Sequence, residues 1–522
     1  MSSITSRVSS RSSHELTEKK SGVTNDFKNS FEVGEVKRLP DAEGTADAVA
    51  QELLADDDFT YTAKEARRVL WKIDLVMMPV MCITYMIQYL DKTALSYAAL
   101  YGMKTDTHID GHTYSSMTTL FYAGYLVAQY PAAILMQKCR LSYFIFCNVF
   151  LWSAMVCLMA ACRNGPSLLG LRFLAGIFEA SITPAFINIT AMWYRREEQP
   201  MRTLCWYAFN GIAQIIGSIL SYGLGHIHGK VASWRYVFIV IGLMSLGWGV
   251  VFVFIPSNPS KARFLSSREK RIALERVRDN RTGLENKQFK WKHAYEAFLD
   301  PQVIMITLFT GVCMITNGIG VFSTLIIKGL GYNELHSAVL NMPLGAIEVA
   351  AMFISGVLCK VFKNGRLLIG VFMNCLTLAG CLMIWKIPDS NPYGRLVGVW
   401  FTMWVPASSA LLLSLISSNV AGYTKKTVTS ATVFVFYSVG NIVSPQLFKS
   451  GQTPEYIEGI QAMIVSLCII IAIAFVLTGY YIYENKRRDR LLAEDPSLGE
   501  SIKNEEFMDL TDRQQPKFRY RW

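Results

Sequence analysis

The segment Arg172-Phe-Leu-Ala-Gly176-Ile-Phe-Glu179-Ala-Ser-Ile-Thr-Pro184-Ala places two opposite charges inside an apolar run. Seven residues at about 100° each complete nearly two helical turns, so Arg172 and Glu179 project from one face of a helix, about 10 Å apart along its axis. A charged side chain at the centre of a bilayer costs at least about 2.5 kcal/mol, and such residues face a bundle interior or a wet cavity. The segment therefore predicts a membrane protein with a polar path through its interior.

The composition of the whole chain agrees with this prediction. Of 522 residues, 52% are hydrophobic and 17% are charged, whereas soluble domains carry about 25% charged residues. The apolar residues form blocks of about 20, the length of helix that crosses about 30 Å of hydrocarbon. We count twelve such blocks, near residues 73–100, 113–136, 143–162, 168–194, 203–225, 233–255, 302–328, 336–358, 366–386, 393–416, 427–448 and 460–483. The sequence predicts an all-α membrane protein with twelve transmembrane helices.

Polar segments divide the chain into parts. The first residues are rich in Ser and Arg and contain no apolar run, which is typical of a disordered segment and not of a signal peptide. A second polar stretch separates the twelve blocks into six and six. We predict a disordered cytosolic N-terminal tail (1–62), a six-helix half (63–255), a cytosolic central loop (256–301), a second six-helix half (302–484) and a cytosolic C-terminal tail (485–522).

The placement of Lys and Arg predicts the orientation. With the N-terminus in the cytosol, most loop cations fall on the cytosolic side, as the positive-inside rule requires. The formal net charge of +11 is then a signal of topology and of contact with a lipid surface, not of nucleic-acid binding. Both chain ends are predicted to be cytosolic.

The cysteines and histidines indicate no redox or metal chemistry. The eleven cysteines lie in or at the ends of the apolar blocks, which favours buried thiols over disulfides. No Cys/His cluster has metal-ligand spacing, and the seven histidines map to tails, loops or helix ends. No metal, no cofactor and no enzymatic activity are predicted.

Several motifs resemble one protein family. Two sets of six helices around a charged loop, with Arg-x3-Gly-x2-Glu-Ala-x3-Pro-Ala in the fourth, resemble the major facilitator superfamily and, within it, the anion:cation symporters. Other segments are similar to the fungal allantoate permease group: Trp71-Lys-Ile-Asp74, Leu90-Asp91-Lys92-Thr-Ala-Leu-Ser, Ile255-Pro256-Ser-Asn-Pro259, Glu484-Asn-Lys-Arg-Arg-Asp, Phe507-Met-Asp-Leu-Thr-Asp and Phe518-Arg-Tyr. The resemblance implies the major facilitator fold, with helices 1, 4, 7 and 10 around a central cavity. It also implies proton-coupled uptake of a small organic anion at the plasma membrane, an internal organelle membrane being the alternative. We expect a monomer.

Four charges are the main site candidates. If helix 1 continues past Leu90, then Asp91 and Lys92 lie at the depth of Arg172 and Glu179, and the two bases can neutralise the two acids across an empty cavity. Arg172 offers a planar fork for a carboxylate and Lys92 a point charge. Protonation of Glu179 and Asp91 releases these cations for a substrate anion, and ionised acids compete with it. The alternative ends helix 1 at Leu90 and leaves Asp91 and Lys92 as an interfacial pair.

Other intramembrane polar residues are secondary candidates. Glu348 in the eighth block is either a second proton site or a structural acid that is hydrogen-bonded at a helix interface. Amide and hydroxyl side chains in the blocks can shape a substrate pocket or join helices by hydrogen bonds: Asn210, Gln214, Asn317, Ser408, Ser409 and Asn441.

Three functions remain open on the sequence: proton-coupled uptake of an anion, proton-driven export of an acidic metabolite, and a non-transporting nutrient receptor. An antiporter would carry a Gly/Pro signature in helix 5, but residues 210–223 contain glycines and no proline. A receptor would favour long cytosolic tails, and those here are modest. The sequence favours uptake, and allantoate, ureidosuccinate, a vitamin carboxylate or a short peptide would all satisfy its cations.

Overall fold

The computed structural model describes residues 59–225, 227, 231–256, 258–278, 280, 289–332, 339–362, 364–388, 390–448, 456–495 and 510–522. In this part of the chain the regular elements are all helical, and twelve helices are long and apolar enough to cross a membrane. The predicted all-α, twelve-helix fold is confirmed. The predicted tail 1–62 lies outside the described residues apart from 59–62.

The first half contains six membrane-length helices: α1 (Ala63–Ala99), α2 (Ser116–Lys138), α3 (Leu141–Met159), α4 (Gly165–Trp193), α5 (Gln199–Leu224) and α6 (Ser233–Phe254). The second half contains another six: α7 (Pro301–Gly320), α8 (Met342–Val361), α9 (Arg366–Lys386), α10 (Pro392–Asn419), α11 (Tyr423–Leu447) and α12 (Ile457–Glu494). Two shorter helices, Ser267–Arg278 and Trp291–Leu299, lie between the halves in sequence. Twelve crossings bring both ends of the bundle to one side, which we call the terminal face, and the opposite side is the distal face.

α1 is an unbroken helix that runs well beyond Leu90. It begins at a capping box, in which the Thr62 side chain accepts from the Glu65 amide while the Glu65 carboxylate accepts from the Thr62 amide. It continues through Pro79 to Ala99. The alternative in which helix 1 ends at Leu90 is therefore wrong, and Asp91 and Lys92 lie within the helix.

Three of the helices expected around the cavity are interrupted. α4 consists of Gly165–Glu179 and Ile182–Trp193, so Glu179 is the last residue of its first segment. α7 breaks after Ile315, and α10 contains a short 3₁₀ turn at Thr402–Trp404. Non-helical backbone at membrane depth is tolerated where it is buried in protein or lines a cavity, and these breaks lie beside the site described below.

Small residues bring helix backbones together, both within a half and between the halves. A Cβ atom added to Gly176 on α4 would collide with the Phe121 carbonyl on α2. A Cβ atom at Gly211 on α5 would lie 2.5 Å from the carbonyl oxygen of Gly345 on α8. Because association in lipid depends on close packing and not on hydrophobic burial, such contacts hold the bundle together.

The terminal face is closed by polar contacts between the halves. The Gln137 side chain donates to the Thr424 hydroxyl at 3.0 Å, and the Ser417 hydroxyl donates to the Gln199 side chain at 3.0 Å. The predicted C-terminal tail 485–522 is partly folded: α12 extends to Glu494, and residues 510–522 pack back on this face. Buried polar contacts stabilise this segment, although its composition is polar.

Candidate functional site

A cavity of about 210 Å³ lies between the two halves. Its walls come from α1, α2, α4 and α5 of the first half and from α7, α8, α10 and α11 of the second. Most lining residues belong to the distal portions of their helices, for example residues 85–96 of α1 and residues 437–445 of α11. With the terminal face closed, the cavity faces the distal side.

An ion pair joins α1 to α4 at this cavity. The Lys92 ammonium lies 3.0 Å from a carboxylate oxygen of Glu179, whose side chain is completely buried. Lys92 lines the cavity and also lies over the Tyr125 ring, 5.9 Å from its centroid. The position of Glu179 at the break in α4 brings its carboxylate to the lysine. One predicted cation and one predicted acid therefore neutralise each other.

Arg172 lines the same cavity and forms no ion pair among the described residues. Only 3% of the residue is exposed. The Nε and Nη2 atoms of its guanidinium are buried without a hydrogen-bond partner, and the group lies 6.0 Å from the centroid of the Phe238 ring. A buried cation with unused donors is costly. An anion toward which the guanidinium turned would satisfy these donors.

Asp91 departs from the prediction that all four charges meet across the cavity. Its side chain is completely buried and accepts a hydrogen bond at 2.7 Å from the indole nitrogen of Trp152 on α3. It does not line the cavity, although it is within electrostatic range of Arg172. Because neighbouring helix residues point about 100° apart, Asp91 and Lys92 cannot face the same way.

Glu348 lines the cavity from the second half, on α8. It is 3% exposed and packs against Gly211 of α5. Its carboxylate forms no hydrogen bond or ion pair with any residue that the structure describes. The structural alternative, an acid held by hydrogen bonds at a helix interface, therefore finds no partner in this part of the chain.

Three of the predicted amide side chains line the cavity. Asn317 donates to Asn441 at 2.9 Å, which joins α7 to α11 at the cavity wall. Asn210 lines the wall contributed by α5. These residues lie where a substrate could contact them.

Gln214 and Ser408 do not line the cavity; they join helices by hydrogen bonds, one of the two predicted alternatives. The Gln214 side chain accepts a hydrogen bond from the Tyr89 hydroxyl at 3.3 Å. Ser408 points toward α9, where it accepts from the Asn374 side chain at 3.0 Å. Its neighbour Ser409 lines the cavity instead, because consecutive residues of a helix face different neighbours.

The sequence analysis missed the aromatic character of the cavity. Six tyrosines contribute to its wall: Tyr85, Tyr89, Tyr114, Tyr122, Tyr207 and Tyr437. A signal was present in α1, because Tyr85, Tyr89 and Lys92 are spaced by four and three residues and share one helix face. Phenol groups can pack against a planar substrate group and donate hydrogen bonds to it.

Two six-helix halves around a charged, closed-ended cavity define a secondary transporter of the alternating-access type. The chain belongs to the Major Facilitator Superfamily, whose family model matches residues 81–445. This assignment also makes it a multi-pass membrane protein.

Relatives of similar length support the assignment. An uncharacterized transporter of Schizosaccharomyces pombe is 56% identical over 470 residues, which cover 90% of this chain and 89% of that protein. The allantoate permease of Saccharomyces cerevisiae is 34% identical over 475 residues, covering 88% of this chain and 87% of the permease. A thiamine pathway transporter of the same yeast is 32% identical, with coverage of 87% and 86%. Among solved structures, the proton:xylose symporter XylE matches with a TM-score of 0.60 at 12% identity, over 80% of this chain and 95% of XylE. This last likeness shows the fold alone.

Proposed function

We propose that this protein imports a small organic anion together with protons. The observation that carries the proposal is the pairing of Lys92, which lines the cavity, with the buried Glu179 behind it, together with the unpaired guanidinium of Arg172 in the same cavity wall. A cation with free donors selects a carboxylate. Because Glu179 already neutralises Lys92, protonation of Glu179 can couple the binding of a substrate carboxylate to the binding of a proton.

The coupling follows from competition for Lys92. When Glu179 takes up a proton, its attraction for the ammonium falls, and Lys92 can join Arg172 in binding the substrate carboxylate. When Glu179 loses the proton, its carboxylate lies 3.0 Å from the ammonium again and displaces the anion. Bound anion and bound proton therefore stabilise each other, which is the thermodynamic requirement for symport.

Asp91 is the second proposed proton site. Its carboxylate is held by Trp152 behind α1 and lies within electrostatic range of Arg172. A proton on Asp91 would leave Arg172 free for the substrate, as a proton on Glu179 leaves Lys92 free. Two protons that enter with a monoanion carry one net positive charge inward.

The proposed location is the plasma membrane, with the terminal face in the cytosol. The positive-inside distribution of Lys and Arg supports this orientation, and the cavity of the described structure then opens to the outside. The proposed carrier is a monomer. The allantoate permease relative supports an organic anion as the substrate class.

Flux in reconstituted vesicles tests this function. Purified full-length protein is placed in vesicles that are alkaline inside, and uptake of labelled β-ureidopropionate is measured as a probe anion. Symport predicts accumulation inside, above the passive level given by protein-free vesicles and by vesicles with Arg172→Ala. Export by proton antiport would instead accumulate the probe in vesicles that are acidic inside, and a receptor would move none.

A further inference from the structure

Glu348 is a buried acid without a protein partner in the described part of the chain. It is 3% exposed and lines the cavity from the second half. Glu179 does not line the cavity and is already paired with Lys92. The two cations of the site belong to the first half, so the cavity has positive groups on one half and a carboxylate on the other.

Two polar side chains of the cavity wall are already hydrogen-bonded to other residues. The Tyr89 hydroxyl donates to Gln214 at 3.3 Å, and the amide of Asn317 donates to Asn441 at 2.9 Å. A buried carboxyl group without a hydrogen-bond partner is costly. A donor on a substrate in the cavity can satisfy Glu348.

We propose that Glu348 accepts hydrogen bonds from the substrate, so that the cavity selects carboxylates that carry a ureido, amide or ammonium group at their other end. The proposal rests on the proposed anion site, because the substrate carboxylate is taken by Arg172. It assigns Glu348 to substrate selection and not to the proton path. A site built to hydrogen-bond a substrate group strongly rejects an analogue that lacks it.

Two probes of the same shape test the proposal. β-Ureidopropionate and isoheptanoate have equal numbers of non-hydrogen atoms and the same branching, but only the first has N–H donors. Binding to the purified full-length protein is measured by calorimetry for the natural chain, Glu348→Gln and Glu348→Leu. Ser355→Ala is the matched control, because Ser355 is buried on α8, seven residues from Glu348, outside the cavity.

The natural chain and Ser355→Ala should bind β-ureidopropionate at least tenfold more tightly than isoheptanoate. Glu348→Leu should abolish this preference without weakening isoheptanoate, and Glu348→Gln should retain part of it. A preference that survives Glu348→Leu, or no preference in the natural chain, overturns the proposal. Arg172→Ala distinguishes the proposed anion site from the proposed role of Glu348. If Arg172→Ala binds both probes as the natural chain does, the anion site is wrong. The role of Glu348 is judged only by the ratio of the dissociation constants of the two probes.

An independent observation concerns residues 510–522, which we call the C-terminal strap. The strap is anchored to the second half. The carboxylate of Asp512 lies 2.7 Å from the ammonium of Lys425 on α11. Asn485 on α12 donates to the Tyr520 carbonyl and accepts from the Tyr520 amide, both at 2.9 Å.

The strap also contacts the first half, in the loop between α4 and α5. Arg196 donates to the Arg519 carbonyl at 2.8 Å and stacks over the Phe518 ring, 4.4 Å from its centroid. The Arg521 guanidinium lies 3.5 Å from the carboxylate of Glu197. Phe518 is 1% exposed. The strap therefore bridges the two halves across the terminal face.

We infer that release of the strap from the first half is a required step in opening the terminal face. In alternating access the halves rock about the central site, so the terminal side must separate for the cavity to open there. The hydrogen bond between Ser417 and Gln199 marks this closed seam. A segment that is anchored to one half and bonded to the other opposes the separation.

Two pairs of engineered cysteines test the strap in the full-length chain. A short bis-maleimide joins Glu197→Cys to Arg521→Cys, which ties the strap to the first half. The matched control joins Asp489→Cys to Arg519→Cys, which ties it to α12 of its own half. Both sites are ion pairs in the structure, with side-chain exposures of 70% and 34% at the first and 64% and 32% at the second. Unreacted linker is then removed.

The readout is maleimide labelling of the thiol introduced by Ser417→Cys, followed by peptide mass spectrometry. Ser417 is 1% exposed, so labelling requires the seam to open and needs no known substrate. The cross-link between positions 197 and 521 should slow labelling at least tenfold relative to the Ser417→Cys protein without a cross-link. The cross-link between positions 489 and 519 should leave the labelling rate of that protein unchanged. Equal labelling of the parent and both cross-linked forms, or equal slowing by both cross-links, overturns the inference.

Discussion

Replacement of Arg172 by alanine removes the one cavity-facing cation that is unpaired among the described residues. The guanidinium has two buried nitrogens, Nε and Nη2, without a hydrogen-bond partner. Once the side chain turns these nitrogens toward a bound carboxylate, they can give it two charge-assisted hydrogen bonds. A hydrogen bond to a charged group contributes about 1.5–3 kcal/mol. Loss of two such bonds, about 3–6 kcal/mol, weakens binding by about 10²- to 10⁴-fold at 1.4 kcal/mol per tenfold change.

The assay is calorimetric titration of purified protein with β-ureidopropionate. Arg172→Ala should raise the dissociation constant by at least about 10²-fold. Arg172→Lys should recover only part of the loss, because an ammonium keeps the charge but not the planar fork.

Arg395→Ala is the control. Arg395 is 9% exposed and buried away from the cavity, where its Nε donates to the Ile384 carbonyl at 3.2 Å. Folded Arg395→Ala protein, checked by gel filtration, should bind as the natural chain does. An Arg172→Ala protein that binds within threefold of the natural chain would refute the reasoning.

Three further outcomes are expected. Lys425→Met leaves Glu296, Asp300 and Asp512 without their shared cation, and should lower the free energy of unfolding by about 3–5 kcal/mol in a denaturant titration; a change below about 1 kcal/mol would contradict this. Burial raises the pKa of Asp512, but the charge of Lys425 and hydrogen bonds to the carboxylate outweigh it and lower the pKa below its ordinary value. The stability that ionised Asp512 contributes is therefore fully present at any pH above its ordinary pKa, and it is lost only as the pH falls through the lowered pKa of the folded state. The rate at which a protease cuts the strap should therefore not change between about pH 5 and 8. Gly176→Leu should abolish folded protein in a fluorescence-detected gel filtration, because the added side chain collides with α2; normal yield would show that α2 and α4 can separate.

The fold was predictable because its signals are local. A block of about 20 apolar residues identifies a spanning helix by length alone, and seven-residue spacing places Arg172 and Glu179 on one buried face. The partner of Glu179 could not be read from local sequence. Both Asp91 and Lys92 lie near α4, and only the packing of the helices places Lys92 beside Glu179 while Asp91 contacts Trp152 on α3.

The strap shows where local patterns fail. Residues 510–522 are polar and carry no apolar periodicity, so nothing in their spacing predicts which groups they contact. In the structure Asp512 is completely buried and Tyr520 is 2% exposed, because partners far away in sequence satisfy them. Lys425 and Arg488 supply those partners from α11 and α12. Contacts over such separations leave no trace in the spacing of one segment.

Transport against a gradient by Glu179→Gln tests the central claim most directly, since the amide imitates a permanently protonated acid. The natural chain and the variant are reconstituted in vesicles with a pH gradient, alkaline inside, and both accumulation and exchange of labelled β-ureidopropionate are measured. Each proton that enters with a monoanion contributes a factor of about ten in accumulation for each pH unit. With protons at both Glu179 and Asp91 and the membrane potential held at zero, the natural chain should therefore accumulate the probe by up to about 100-fold for each pH unit. The account predicts that Glu179→Gln exchanges the probe across the membrane but never accumulates it above the passive level. Accumulation by Glu179→Gln equal to that of the natural chain would contradict the account.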